Sequence, residues 1–190
     1  MPNWAYTEYR IVGDMKAVKL LYHEMIVLET SVEPLENNDF GVRWLGNLVI
    51  KLGGDYRNIK CRGTWDKAIL NESGLSFNVE SAWNEPHEWR KFLEDCFPGI
   101  KIYYMCEEEG MGICETNDKR GTYFPHYILY VDNEDTDYFW SLNELISEVE
   151  RITGTKEIQN IKDCNEALET AVLNGNIQYY NLYQTHYIQD

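Results

Sequence analysis

The chain has 190 residues, 44% of them hydrophobic and 14% aromatic, which is enough to bury a sizeable core without disulfides or metals. Its formal net charge of −15 disfavours direct binding to a nucleic-acid phosphate backbone, and no apolar run approaches the ~20 residues that span a bilayer. The charge is uneven: residues 1–104 carry 12 Lys/Arg against 15 Asp/Glu, and residues 105–190 carry 5 against 17.

In chain order, Trp4–Val12 alternates as a strand, with Ala5, Thr7, Tyr9 and Ile11 on one face and Tyr6, Glu8 and Arg10 on the other. Gly13-Asp14 ends it, and Asp14 caps a helix whose stripe is Val18, Leu21, Tyr22, Met25 and Leu28. Residues 31–59 read as irregular, with a short buried helix from Trp44 to Ile50. Lys60–Asn71 and Leu75–Trp83 form a hairpin about Glu72-Ser73-Gly74, with Leu75, Phe77, Val79 and Ser81 facing inward. Pro86 opens a helix with a stripe of Trp89, Phe92, Leu93 and Cys96, which Pro98-Gly99 stops. Ile100–Glu107 is the next strand.

This order, βαββαβ, predicts an α+β fold with a ferredoxin-like antiparallel sheet and helices on one face. Further strands at Ile113–Thr116 and Tyr127–Asp132 extend it. Ser141 and Glu144 form a capping box for a helix that Gly154 closes, and Asp163 caps a second helix ending at Asn174-Gly175. Ile177–Ile188 reads as a last strand. The expected organisation is a ferredoxin-like core with an added hairpin over 1–132, and a helical and strand extension over 133–190 packed on it as one compact unit.

Chemical motifs are sparse. Cys61, Cys96, Cys106, Cys114 and Cys164 are widely spaced with no CxxC pair, which argues for reduced, mostly buried thiols and against a zinc site. Met1-Pro2 raises one enzymatic possibility, a processed N-terminal proline acting as general base, yet no cationic pocket for an anionic substrate accompanies it. Asn133, Asp135, Asp137, Phe139, Ser141 and Glu144 fall at EF-hand offsets, but Tyr138 stands where that loop needs glycine. A solvated acidic turn explains them better. His23, His87, His126 and His186 are scattered without a local catalytic signature. No cofactor is implied, and neither a secretory leader nor a membrane span is evident, so a cytoplasmic protein is expected.

The opening Met1-Pro2-Asn3-Trp4, with the strand that ends at Val12-Gly13, resembles the YubB-like ferredoxin-like family of plasmids, phages and other mobile elements. That family continues with Cys where this chain has Ala5. Glu109-Gly110-Met111-Gly112 is similar to a turn after the family's fourth strand. The resemblance covers about the first two-thirds of the chain. It implies a ferredoxin-like architecture without an iron–sulfur cluster, no established activity and no catalytic residues. Trp4 is then expected to be a buried anchor, with Asn3 bonding a neighbouring loop.

These readings converge on a non-catalytic accessory protein that binds a basic protein surface, as an inhibitor of host defence would. The residues expected to form its acidic face are Glu107, Glu108, Glu109, Asp132, Glu134, Asp135 and Asp137, on turns where side chains reach solvent. Two alternatives stand beside it. One is a small-molecule enzyme or binder with a pocket near Pro2, Trp4, Trp44 and Trp83. The other is RNA binding on the open sheet face through Tyr6 and Tyr103.

Overall fold

A computed structural model describes residues 3–108, 110–132 and 136–189. The chain is α+β and divides into two compact units, Met1–Asn117 and Asp118–Asp190.

The first unit begins with β1 (Trp4–Gly13), whose alternation is as regular as its sequence. Asp14 caps α1 (Met15–Glu29) by accepting the Lys16 N–H at 2.9 Å, and the helix buries Ala17, Val18, Leu21, Met25 and Leu28. A 3-10 turn at Gly41–Arg43 leads into the short α2 (Leu45–Lys51), buried from Leu45 to Val49. Next come β2 (Gly63–Asn71) and β3 (Gly74–Ala82), joined by a tight turn in which the Asn71 side chain accepts the Ser73 N–H. Gly74 has φ +143° and lies so close to β1 that a Cβ would sit 2.2 Å from the Ile11 carbonyl oxygen, which only glycine tolerates. Then follow α3 (His87–Cys96), β4 (Ile100–Glu108) and β5 (Ile113–Thr116).

Within this unit the strands lie in the order β2-β3-β1-β4-β5, every neighbouring pair antiparallel. β1 is therefore central, although it comes first. One face of the sheet buries Tyr9, Ile11, Trp65, Leu75, Phe77, Val79, Ile102 and Tyr104 against residues of α1, α2 and α3. Leu75, Phe77, Val79 and Ser81 all point inward as the alternation of β3 requires. Burial of this much apolar area, at ~25 cal/mol per Å2, is the main force assembling the layer.

The second unit holds β6 (Tyr127–Val131), β7 (Asp137–Phe139), α4 (Leu142–Thr153), α5 (Ile161–Leu173), β8 (Tyr180–Gln184) and β9 (His186–Tyr187). β6 pairs antiparallel with both β7 and β8, so it belongs with the C-terminal elements. Leu129, Val131, Leu145, Val149, Cys164, Ala167 and Leu168 form its separate small core.

Several boundaries differ from the sequence reading. β2 starts at Gly63 and carries a bulge between Asp66 and Ile69, where Lys67 takes φ +41°. α5 starts three residues earlier than expected, because Asn160 accepts the Lys162 and Asp163 N–H groups while Asp163 reaches back to the Gln159 N–H. β7 falls in the segment read as a solvated turn. The last strand is two short pieces rather than one. Trp4, expected to be a buried anchor, is 47% exposed, and its ring meets Phe40 edge-on with centroids 6.3 Å apart. Parity explains this, since Trp4 shares the outer face with Tyr6, not the core face with Ala5.

Candidate functional site: an acidic, aromatic cleft on the sheet

The face of the sheet turned away from α1 and α3 carries the site. Register places side chains on it in cross-strand rows. Thr64, Glu80, Tyr6 and Glu107 lie opposite one another across β2, β3, β1 and β4. One step along, Asp66, Asn78 and Glu8 form the next row across β2, β3 and β1. Directly opposed residues bring Cβ atoms within about 5 Å, so Tyr6 stands between two carboxylates. Burial first, then the charges of Glu8, Asp66, Glu80 and Glu107, raise the Tyr6 phenol above its ordinary 10.0. The potential here is thus negative.

The segment from Phe40 to Arg43 runs along the edge at β2, held by the Trp44–Thr64 bridge and by the Thr64 hydroxyl, which donates to the Arg43 carbonyl at 3.0 Å. Asn47 fixes the same segment from beneath, donating to the carbonyls of Gly41 and Val42. Between this wall and the sheet lies a cleft of about 510 Å3, lined by Tyr6, Phe40, Arg43, Thr64, Asp66, Asn78 and Glu80 among others. Arg43 forks between Glu29 and Asp66, the latter contact being 3.0 Å. Glu80 has no cationic partner among the described residues.

A second hollow, of about 250 Å3, lies between Lys60–Arg62 and Ser81–Pro86 and includes Trp83. Trp83 is 47% exposed at φ +78°, and its N–H donates to the Asn3 carbonyl. Trp44 is buried and gives its indole N–H to the Cys61 carbonyl, so Trp4, Trp44 and Trp83 do not line one pocket.

The residues expected to form an acidic face are used differently. Glu108 is 4% exposed and accepts the N–H groups of Gly110 and Met111 at 2.8 and 2.7 Å. It ties the turn after β4 and is not presented to a partner. Asp132, at φ +55°, accepts the N–H groups of Gln178 and Tyr179. It too is spent on backbone. Asp137 is exposed on β7, opposite Leu129. Among the described residues of the set, Glu107 stands on the outer face of the first unit, opposite Tyr6. Pro2, Glu109, Glu134 and Asp135 lie outside the described residues.

Beneath the other face is a buried polar cluster that the sequence did not announce. The Tyr9 hydroxyl donates to Glu85 at 2.8 Å, and the fully buried Arg90 donates to the same oxygen at 2.8 Å. The Arg90 guanidinium also lies 4.8 Å from the centre of the Tyr104 ring and 2.8 Å from His87 Nδ1. Burial pushes the Glu85 carboxyl up despite Arg90, and pushes the neighbouring Cys106 thiol up to about 12. A thiol so held is protonated at neutral pH and is no nucleophile. With no opening to solvent at Arg90 or Cys106, the cluster is structural. Among the described residues no three His, Cys, Asp or Glu side chains are placed to hold a metal ion. No described helix is long and apolar enough to cross a membrane.

Compared with family models, with curated proteins and with solved structures, the chain matches none.

Proposed function

We propose that the protein is a non-catalytic binding module that takes a basic segment of another protein on the acidic outer face of its first sheet. One observation carries the reading: Tyr6, 47% exposed, stands in register between Glu80 and Glu107 with Asp66 and Glu8 in the next row. Exposed aromatic rings among carboxylates bind cations by charge and by the ring quadrupole together. The same carboxylates repel phosphate, which weighs against RNA stacking on Tyr6. Neither hollow gathers a nucleophile, a base and an orienting group, so a chemical step lacks its parts.

The first unit is read as ferredoxin-like. Support comes from the order β2-β3-β1-β4, with α1 following β1 and α3 following β3. Kinship with the YubB-like proteins of mobile elements rests on residues 1–4 and 109–112, and a role against host defence is one setting for a protein that occupies a basic surface.

The test is a titration of the protein with a fluorescein-labelled arginine- and lysine-rich peptide, and in parallel with a labelled single-stranded RNA of equal length. The peptide should bind, and its affinity should fall steadily between low salt and physiological salt, where screening acts over about 8 Å. RNA binding tighter than peptide binding, or no peptide binding at low salt, would overturn the reading.

A further inference from the structure

Resting on that reading, we propose that the cleft beside Tyr6 receives an arginine side chain of the partner, and that Arg43 is a built-in competitor for it.

The cleft has two walls of different chemistry. Phe40 and Tyr6 present ring surface, while Asp66 and Glu80 present carboxylates from neighbouring strands. A guanidinium is the side chain that uses both, because it is planar, stacks on rings and forks onto carboxylates, whereas an ammonium is a compact and strongly hydrated point charge. Asn78 lies between Asp66 and Glu8 in register and adds an amide oxygen within the same hollow. A volume of about 510 Å3 exceeds what one side chain fills, so the flanking backbone of an extended peptide enters as well.

The molecule already shows how a guanidinium sits here. Arg43, on the wall, spans Glu29 and Asp66, and its contact with Asp66 is 3.0 Å. Asp66 is well exposed, so this ion pair is weak and exchangeable. Glu80, across the cleft, lacks any cation among the described residues. An incoming arginine therefore engages Glu80 directly and draws Asp66 from Arg43. Removing Arg43 frees Asp66 and strengthens binding. Removing Glu80 weakens it.

The test compares three capped hexapeptides that differ at one central position: arginine, lysine or citrulline. Binding is followed by calorimetry, and by the NMR signals of the Tyr6 ring and of the Asp66 and Glu80 amides. The arginine peptide should shift those signals and bind several-fold more tightly than the lysine peptide, and citrulline should abolish the shifts. Glu80→Gln should weaken arginine binding about threefold to fivefold, and Arg43→Gln should strengthen it about twofold, the scale of exposed ion pairs. Glu80 is exposed, so its variant keeps the fold, and unchanged melting of both variants is the control. If basic peptides bind with salt dependence but leave Tyr6 unmoved, or bind Glu80→Gln equally well, the cleft assignment falls while the broader reading stands. Equal binding of arginine and lysine refutes the guanidinium preference. An unchanged affinity in Arg43→Gln refutes the competitor. If no basic peptide binds, both readings fall together.

Discussion

Tyr6 and Tyr9 lie three residues apart on one strand, each beside a glutamate, and they show what the two faces of β1 do. Tyr9 faces the helices and is fully buried; its hydroxyl donates to Glu85, and the Arg90 guanidinium donates to the same carboxylate oxygen. Tyr6 faces outward in register between Glu80 and Glu107, and Glu80 has no cationic partner among the described residues. Both phenols are raised above 10.0, with burial the leading cause in each. The inner set is a closed network in which every charge has its opposite. In the outer set Arg10 meets Glu8 and Arg43 meets Asp66, while Glu80 has no cation among the described residues, and on the proposed reading that charge is what a partner uses.

The largest effect should come from breaking the inner network. Arg90→Ala leaves Glu85 buried and unpaired, and removes the cation over Tyr104; it should cost ~3–5 kcal/mol in urea unfolding. A loss below ~1 kcal/mol would mean that water reaches Glu85, and the contrast between the faces would collapse. The double variant Arg90→Met with Glu85→Leu removes both charges, and should recover much of the lost stability if the pair serves specificity more than strength.

The inner groups should also govern the alkaline limb of stability. Tyr9 lies well above 10.0 and Cys106 is pushed up to about 12, both held protonated by burial. A group whose folded value is raised supports the fold below its unfolded value, near 9 for the thiol and 10 for the phenol. That support is lost as pH climbs toward the folded value. Stability should fall above about pH 9 to 10 by roughly 1.4 kcal/mol per pH unit for each such group. Tyr9→Phe removes one of these groups and should flatten the slope, while costing ~1.5–3 kcal/mol at neutral pH for the hydrogen bond to Glu85. A slope unchanged in Tyr9→Phe would show that the phenol ionises inside the fold.

A third comparison separates carboxylates that hold turns from those left on the surface. Glu108→Ala strips the Gly110 and Met111 N–H groups of their acceptor and should cost about 1.5–3 kcal/mol, whereas Asp137→Ala on the exposed β7 should stay within about 0.5. Equal costs would return Glu108 to the surface role that its sequence suggests.

These contrasts also mark what the sequence made legible. Local devices read well, because their partners lie within a few residues: Asp14 and Lys16, Ser141 and Glu144, Gly154 at φ +71°. Period-two alternation in β1 and β3 separated inner from outer residues correctly. Trp4 departs from its expectation because a large ring suggests the core, whereas the parity of β1 places it outside. Arg90 is illegible for the opposite reason. A charged residue is expected in solvent, and only a carboxylate five residues away, turned inward at Glu85, permits its burial. The cleft joins Tyr6, Phe40, Arg43, Asp66 and Glu80, which only strand register and a loop along the β2 edge bring together. An acidic run such as residues 107–109 is conspicuous in a sequence. Four acids on four strands, Glu8, Asp66, Glu80 and Glu107, are not.

The smallest effect expected is also the most direct probe of the outer face. Glu80 faces Tyr6 across the β1–β3 pair and is one of four carboxylates that raise its phenol. Glu80→Gln keeps the shape of the side chain and removes its charge. The Tyr6 value should then move down toward 10.0, though only part of the way, because burial is the larger cause and Glu8, Asp66 and Glu107 remain. Stability should change by less than about 0.5 kcal/mol, and any change should favour the variant, since no cation among the described residues loses its partner. The measurement is an NMR titration of the Tyr6 ring carbon in both proteins at low salt, repeated at high salt. The difference between the two proteins should shrink as salt screens the exposed charge. The Tyr9 ring, behind the sheet and bonded to Glu85, should titrate identically in both. If Tyr6 keeps its value in Glu80→Gln, the carboxylates do not act together on that face. The charge on which the proposed basic partner depends would then be too dispersed to select one.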